Sequence, residues 1–163
     1  MDLNQTVREG LIPLLPRLRR LARALAGQTA DADDLVQVAL EHALARSGQW
    51  RPQDALDKWV FAIMRNAWRD ELRSRGRTQR LFAPEEASAT AVDGDSGRPA
   101  QQLDLAAAVA ALPPDHREVV VLVLVEGLSY DEAAGVLALP VGTVTSRLSR
   151  ARTALQAHLG KSP

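Results

Sequence analysis

The residues best placed to do chemistry in this chain are arginines. Arg65, Arg69 and Arg73 recur every fourth position, so on a helix they form one stripe, with Asn66 beside it. Arg75, Arg77 and Arg80 prolong the run, and these six arginines between residues 65 and 80 meet only Asp70 and Glu71. A guanidinium stripe of this kind fits a phosphate backbone, where each contact releases a condensed counterion. A solvated helix face carries the same pattern, so charge alone leaves both readings open. All three tryptophans, Trp50, Trp59 and Trp68, lie close to the stripe, although aromatics are only 4% of the chain. Rings beside a basic groove can stack unpaired bases; packing in a core is the alternative for each. Trp59 and Trp68 are nine residues apart, on opposite sides of a helix, so one core face cannot take both.

A second constellation lies near the C-terminus. Thr143, Ser146, Arg150 and Thr153 share the outer side of a helix predicted from Val141, flanked by Arg147 and Ser149. Val144, Leu148, Ala151, Leu155 and Leu159 make its inward stripe, and Thr145 falls near the buried edge. With a preceding helix over 129–137 and a short turn at 138–140, the spacing predicts a helix-turn-helix. Such motifs lay the start of their second helix in the DNA major groove. There Arg reaches guanine O6 and N7, while Ser and Thr are less selective. A plain helical hairpin with a polar face is the competing reading. Against it, Arg147, Arg150, Arg152 and Lys161 meet no acid beyond residue 135.

Other chemistries are poorly supplied. The chain has no cysteine, which removes disulfides, thiolate metal sites and a Cys nucleophile. His42, His116 and His158 are far apart, and no Gly-rich phosphate loop or nucleophile–base set stands out. The expectation is a protein that is not an enzyme and needs no metal or cofactor. No apolar run approaches a membrane span, and the N-terminus lacks a signal-peptide core, so a cytoplasmic protein is expected.

The elements that must position these residues read as all-α. Leu14 to Ala26 has helical apolar spacing and stops at Gly27, with Pro13 and Pro16 breaking any earlier helix. Asp31, Asp33 and Asp34 open a second helix that runs to about Ser47. A third spans about Asp54 to Arg75, with Leu56, Trp59, Val60 and Ala67 grouped around Ile63 as its core face. Further helices are predicted at 103–112, 115–126, 129–137 and 141–159. The run VVVLVLV at 119–125 has strand character, but it has no partner strand, so a buried helix is expected. Ser129 and Glu132 have the spacing of a capping box.

Between these groups, Pro84 to Gln102 is small, polar and acidic, without apolar period, and reads as a flexible linker. The expected layout is a front domain at 1–80, a linker at 81–103 and a rear domain at 104–163. The formal net charge is zero, yet it is a sum of separated blocks. Residues 1–80 carry fourteen cations and ten acids. Residues 81–105 carry Arg98 against Glu85, Glu86, Asp93, Asp95 and Asp104, and the rest balances at five each.

Three segments in order resemble the bacterial RNA polymerase sigma factors of the extracytoplasmic-function (ECF) group. DADDLVQ at 31–37 is similar to the family's A-x-D-L-V-Q segment, and WVFAIMRN at 59–66, with Asp70 and Arg73, to its −10 reader. Leu112-Pro113, Arg117, EGLSY at 126–130 and GTVTSRLSRAR at 142–152 resemble its −35 reader. The resemblance spans nearly the whole chain and implies two small helical domains that bind core RNA polymerase and promoter DNA. Asp34, Gln37 and Glu41 would face the polymerase clamp. Trp50, Arg65, Asn66, Arg69 and Arg73 would capture the melted −10 strand. Thr143, Thr145, Ser146, Arg147, Ser149 and Arg150 would meet the −35 duplex. The resemblance also implies an anti-sigma factor as partner and a linker threaded through the polymerase cleft. A sigma-like mimic that sequesters an anti-sigma factor and a stand-alone helix-turn-helix regulator are the alternatives. Retention of Arg65, Arg69, Arg73, Arg147 and Arg150 disfavours the mimic, and residues 31–75 would have no role in the regulator.

Overall fold

A computed structural model describes residues 2–81 and 100–160, and every regular element among them is helical. The front half holds α1 (Leu3–Leu11), a 3₁₀ turn (Ile12–Leu14), α2 (Leu15–Ala26), α3 (Thr29–Ala45), a 3₁₀ turn (Ser47–Gln49) and α4 (Leu56–Leu81). The rear half holds α5 (Ala100–Ala110), α6 (Pro114–Val120), a π turn (Val121–Val125), α7 (Tyr130–Leu137) and α8 (Val141–Gly160). Most of the segment expected to link them lies outside the described residues. Its two ends do not: α4 continues through Leu81 and α5 begins at Ala100, so helix extends into both ends of 81–103.

Helix α1 is the element that sequence reading passed over. The Asp2 carboxylate accepts from the Asn4 N–H at 3.0 Å and caps its start. Val7 and Leu11 face inward, while the Asn4 amide donates to the Leu44 carbonyl at 3.1 Å. Pro13 and Pro16 do not prevent this helix. They sit in the 3₁₀ turn and the first turn of α2, where a missing N–H costs little. Gly27 ends α2 at φ 78°, a conformation that favours glycine, and its N–H donates to the Arg23 carbonyl at 2.9 Å.

Helix α4 starts two residues later than expected and outruns Gly76, since an exposed helix tolerates a single glycine at modest cost. It also buries more than one face. Val60, Phe61, Ile63, Met64 and Trp68 are all in the core, because α4 packs on α2 and α3 on one side and on α7 on the other. The β-branched run is helical, as its lack of a partner strand implied, but only Val119 to Leu122 are buried as expected; Leu124 and Val125 are 47% and 53% exposed. The last turn of the run widens to a π turn, with the Glu126 N–H donating to the Val121 carbonyl at 2.8 Å.

The two halves pack against each other. Helix α2 meets α6 and the π turn, and α4 meets α7, so the buried residues form one continuous apolar cluster. Nothing in the apolar periodicity announced this contact.

Candidate functional site

Helix α3 turns Asp33, Asp34, Gln37, Val38 and Glu41 to solvent. Asp34, Gln37 and Glu41 are all exposed there, spaced by three and four residues, over the buried Leu35, Val36, Ala39 and Ala43. Asp31, one turn earlier, is used internally. The Arg75 guanidinium donates to both its oxygens, at 2.9 and 3.2 Å, and to Glu71 at 2.9 Å. Those bonds, Asp31 first, hold Arg75 firmly charged, with its pKa above the ordinary arginine value. The same guanidinium lies 5.3 Å over the Trp68 ring. Arg75 therefore ties α4 to α3, and the stripe has one fewer cation to offer a ligand.

The remaining stripe is split by burial. Asn66, Arg69 and Arg77 are exposed, and Arg73 is exposed with Asp70 3.7 Å away. Arg65 is 3% exposed, held under α6 with its Nε 3.5 Å from Glu118. Its Nε and Nη2 have no hydrogen-bond acceptor. Burial is the main influence on both groups: it pushes Arg65 down and Glu118 up, and their mutual attraction opposes it without reversing either shift. A buried ion pair of this quality adds little net stability, because desolvation offsets the Coulombic gain.

Trp50 and Trp68 are core residues here, and Trp59 is half-buried. The Trp50 indole N–H donates to the Asp54 carbonyl at 3.2 Å, which folds the 46–55 loop around its own ring. In this arrangement the Trp50 ring has little free face on which a base can stack.

The helix-turn-helix forms as spaced. Ser129 Oγ accepts from the Glu132 N–H at 3.1 Å, and Glu132 accepts from the Ser129 N–H at 2.9 Å, completing the capping box. Ala138 turns the chain at φ 53°, a left-handed position held by a non-glycine residue. On α8, Ser146, Ser149 and Arg150 are exposed and Thr143 is half-buried. Thr145 is exposed too, contrary to its expected place near the buried edge; its hydroxyl donates to the Val141 carbonyl at 3.0 Å. Arg147, on the opposite edge, is the half-buried one, because α6 packs there and brings Asp115 to 3.9 Å. Leu159, expected to face inward, is 39% exposed because it lies beyond the reach of the rear core.

Sequence reading missed the charged residues that join the halves. Arg17 donates to Glu126 at 2.7 Å and to Asp57 at 3.0 Å, and Arg20 donates to Glu126 at 3.0 Å. The Glu126 side chain is 1% exposed between the two arginines. Burial opposes the charge on Arg17, but its bonds to Glu126 and Asp57 outweigh that and raise its pKa. Lys58 pairs with Glu132. In each of these pairs that joins the halves, the cation comes from the front and the acid from the rear. Only the segregation of charge along the chain hinted at it. Among the described residues, no acid or histidine cluster is placed to hold a metal ion, and no helix is long and apolar enough to cross a membrane.

Comparison with known proteins bears on both halves. The family described as "Sigma-70, region 4" matches residues 102–155, and that described as "Sigma2 domain of PhyR" matches residues 11–65. The ECF RNA polymerase sigma factor EcfG of Rhodopseudomonas palustris is 37% identical over 98% of this chain and 88% of its own. Among solved structures, the sigma factor RpoE in complex with the anti-sigma factor NepR from Bartonella quintana aligns with a TM-score of 0.85. It shares 31% identity over 96% of this chain and 98% of that one. CnrH in complex with the cytosolic domain of CnrY aligns at 0.69, with 28% identity over 98% and 90% of the two chains.

Proposed function

The chain belongs to the ECF RNA polymerase sigma factors of the sigma-70 family, and we propose that its two helical halves divide the family's work between them. It binds core RNA polymerase in the cytoplasm and directs initiation at promoters whose −35 and −10 elements it reads. The carrying observation is kinship along the whole chain, 37% identity over 98% of it, joined to two reading helices in the expected order.

The front domain, residues 1–80, docks on the polymerase clamp through Asp34, Gln37 and Glu41, the exposed polar line of α3. Asn66, Arg69 and Arg73, exposed along α4, take the melted −10 strand, and Arg65 joins them once α6 is withdrawn. A base extruded from the duplex needs an aromatic face, so Trp50 serves only after the 46–55 loop reopens. The rear domain, residues 104–163, sets the start of α8 in the −35 major groove through Thr143, Thr145, Ser146, Arg147, Ser149 and Arg150. Thr145, being exposed, is as well placed for this as Ser146.

An anti-sigma factor is the expected partner of the free chain, since the structures of RpoE and CnrH are of complexes with NepR and CnrY. The match of residues 11–65 to a PhyR domain favours a second reading, a mimic that sequesters an anti-sigma factor. Full-length kinship to EcfG and the exposed Arg69, Arg73 and Arg150 weigh against it. Neither role requires a catalytic centre.

Permanganate reactivity of −10 thymines in the holoenzyme tests the division of labour. Arg69→Ala with Arg73→Ala is expected to cut promoter melting at least tenfold while core binding is unchanged. Undiminished melting would remove α4 from the −10 assignment.

A further inference from the structure

Arginines from both halves gather around Glu118 and Asp115, and these acids leave much of the arginines' donor capacity unused. Arg65 on α4 is buried, and its Nε lies 3.5 Å from Glu118, longer than the roughly 2.7–2.9 Å of a charge-assisted bond. Its Nε and Nη2 have no acceptor. Those two N–H groups form one edge of the guanidinium, an edge that can grip a carboxylate or phosphate with two parallel bonds. Arg147 on α8 is close enough for its charge to act on Arg65. Its own Nη1 is buried without an acceptor, and Asp115 comes only to 3.9 Å. Arg69, one turn further along α4, acts on both Arg65 and Glu118 and is exposed to solvent. Burial pushes the Glu118 carboxyl up toward its neutral form, which weakens it as a counter-ion for Arg65. A buried guanidinium edge without acceptors is costly, and a small oxyanion, which offers several, would satisfy it.

We propose that this junction is a binding site for a small oxyanion of the phosphate class, gripped by the free edge of Arg65 and by Nη1 of Arg147, with the exposed Arg69 as the third cation. Arg147 comes from the rear half and the other two from the front, so the ligand bridges α4 and α8. By mass action it stabilises the arrangement that brings them together. Glu118 tunes the site: as a carboxylate it repels the oxyanion, and as a neutral carboxyl it donates a hydrogen bond to it. Inorganic phosphate and the phosphate group of a nucleotide share this chemistry. The site belongs to the free chain and needs neither polymerase nor DNA, so it stands or falls apart from the −10 assignment of Arg65 and Arg69.

Calorimetric titration of the full chain with inorganic phosphate, at an ionic strength held constant with chloride, tests the site. Saturable binding is expected, with a Tm that rises as phosphate is added. Arg69→Gln, an exposed change, and Arg147→Gln are each expected to weaken binding about tenfold, the loss of one charge-assisted bond. Glu118→Gln removes the competing charge and keeps an N–H to donate, so it is expected to tighten binding about tenfold, a gain that a misfolded chain cannot give. Arg19→Gln with Arg23→Gln, both exposed on α2, controls for general attraction to cations and is expected to change nothing. Titration with adenosine diphosphate separates the two sources of the ligand. Binding tighter than that of phosphate, and weakened by the same substitutions, assigns the site to a nucleotide; weaker binding assigns it to the free ion. Absence of saturable binding by either probe overturns the proposal, as does a loss in the α2 control equal to that in Arg69→Gln. An Arg69→Gln chain that binds phosphate as well as the unsubstituted one overturns it too, whether or not the variants at Arg147 and Glu118 fold.

Discussion

Glu118 is the residue whose titration follows most directly from its surroundings. Burial raises its pKa, Asp115 on α6 adds to the shift, and Arg65 and Arg69 on α4 oppose it, with Arg147 on α8 acting on the same Arg65. A carboxyl raised in the folded state binds its proton more tightly there than in the unfolded chain. Its contribution to stability is therefore full below the ordinary glutamate value and is lost as pH rises through the raised one. Thermal melts are expected to show a lower Tm at about pH 8 than at about pH 5, and Glu118→Gln is expected to flatten that slope. An equal slope in the variant would assign it to other groups. At this scale the sequence was partly legible. The four-residue spacing of Arg65, Arg69 and Arg73 put them on one helix, and Arg69 and Arg73 are exposed as that stripe implies. It could not show that Arg75 belongs to Asp31, 44 residues away, or that Arg65 belongs to Glu118. Those pairings depend on which helices pack, not on spacing along one helix.

Elements with local signals were readable, and those without were not. The capping box, the Gly27 stop and the inward stripe of Val144, Leu148, Ala151 and Leu155 each rest on a few neighbouring residues, and each is present. Helix α1 was missed because its anchoring is tertiary, from Asn4 to Leu44 and Ser47, and because its closing prolines looked like breakers. The turn at Ala138 carries strain that no pattern of residue types reveals. A left-handed conformation costs a β-carbon roughly 1–2 kcal/mol, part of which glycine returns as chain entropy on unfolding. Ala138→Gly is expected to stabilise the chain by about 0.5–1 kcal/mol, seen as a raised Tm with −35 binding unchanged. A lowered Tm would mean that the turn is relaxed with alanine in place.

For the whole molecule, zero net charge conceals front-half cations and rear-half acids that find each other. That cancellation is spatial as well as arithmetical, which leaves fewer free cations to pull on duplex DNA, a pull that scales with the phosphates neutralised. The all-α class was legible from apolar periodicity. How the front and rear helices sit together was not, because ion pairs between distant elements leave no periodic trace. As a sigma factor, this chain turns core polymerase into a promoter-specific enzyme. Run-off transcription on a randomised promoter library, with core polymerase alone and with the chain added, tests it most directly. Discrete transcripts are expected from templates sharing one −35 and one −10 element, and only when the chain is present. Transcription no different from that of core alone, where a control sigma factor initiates normally, would contradict it.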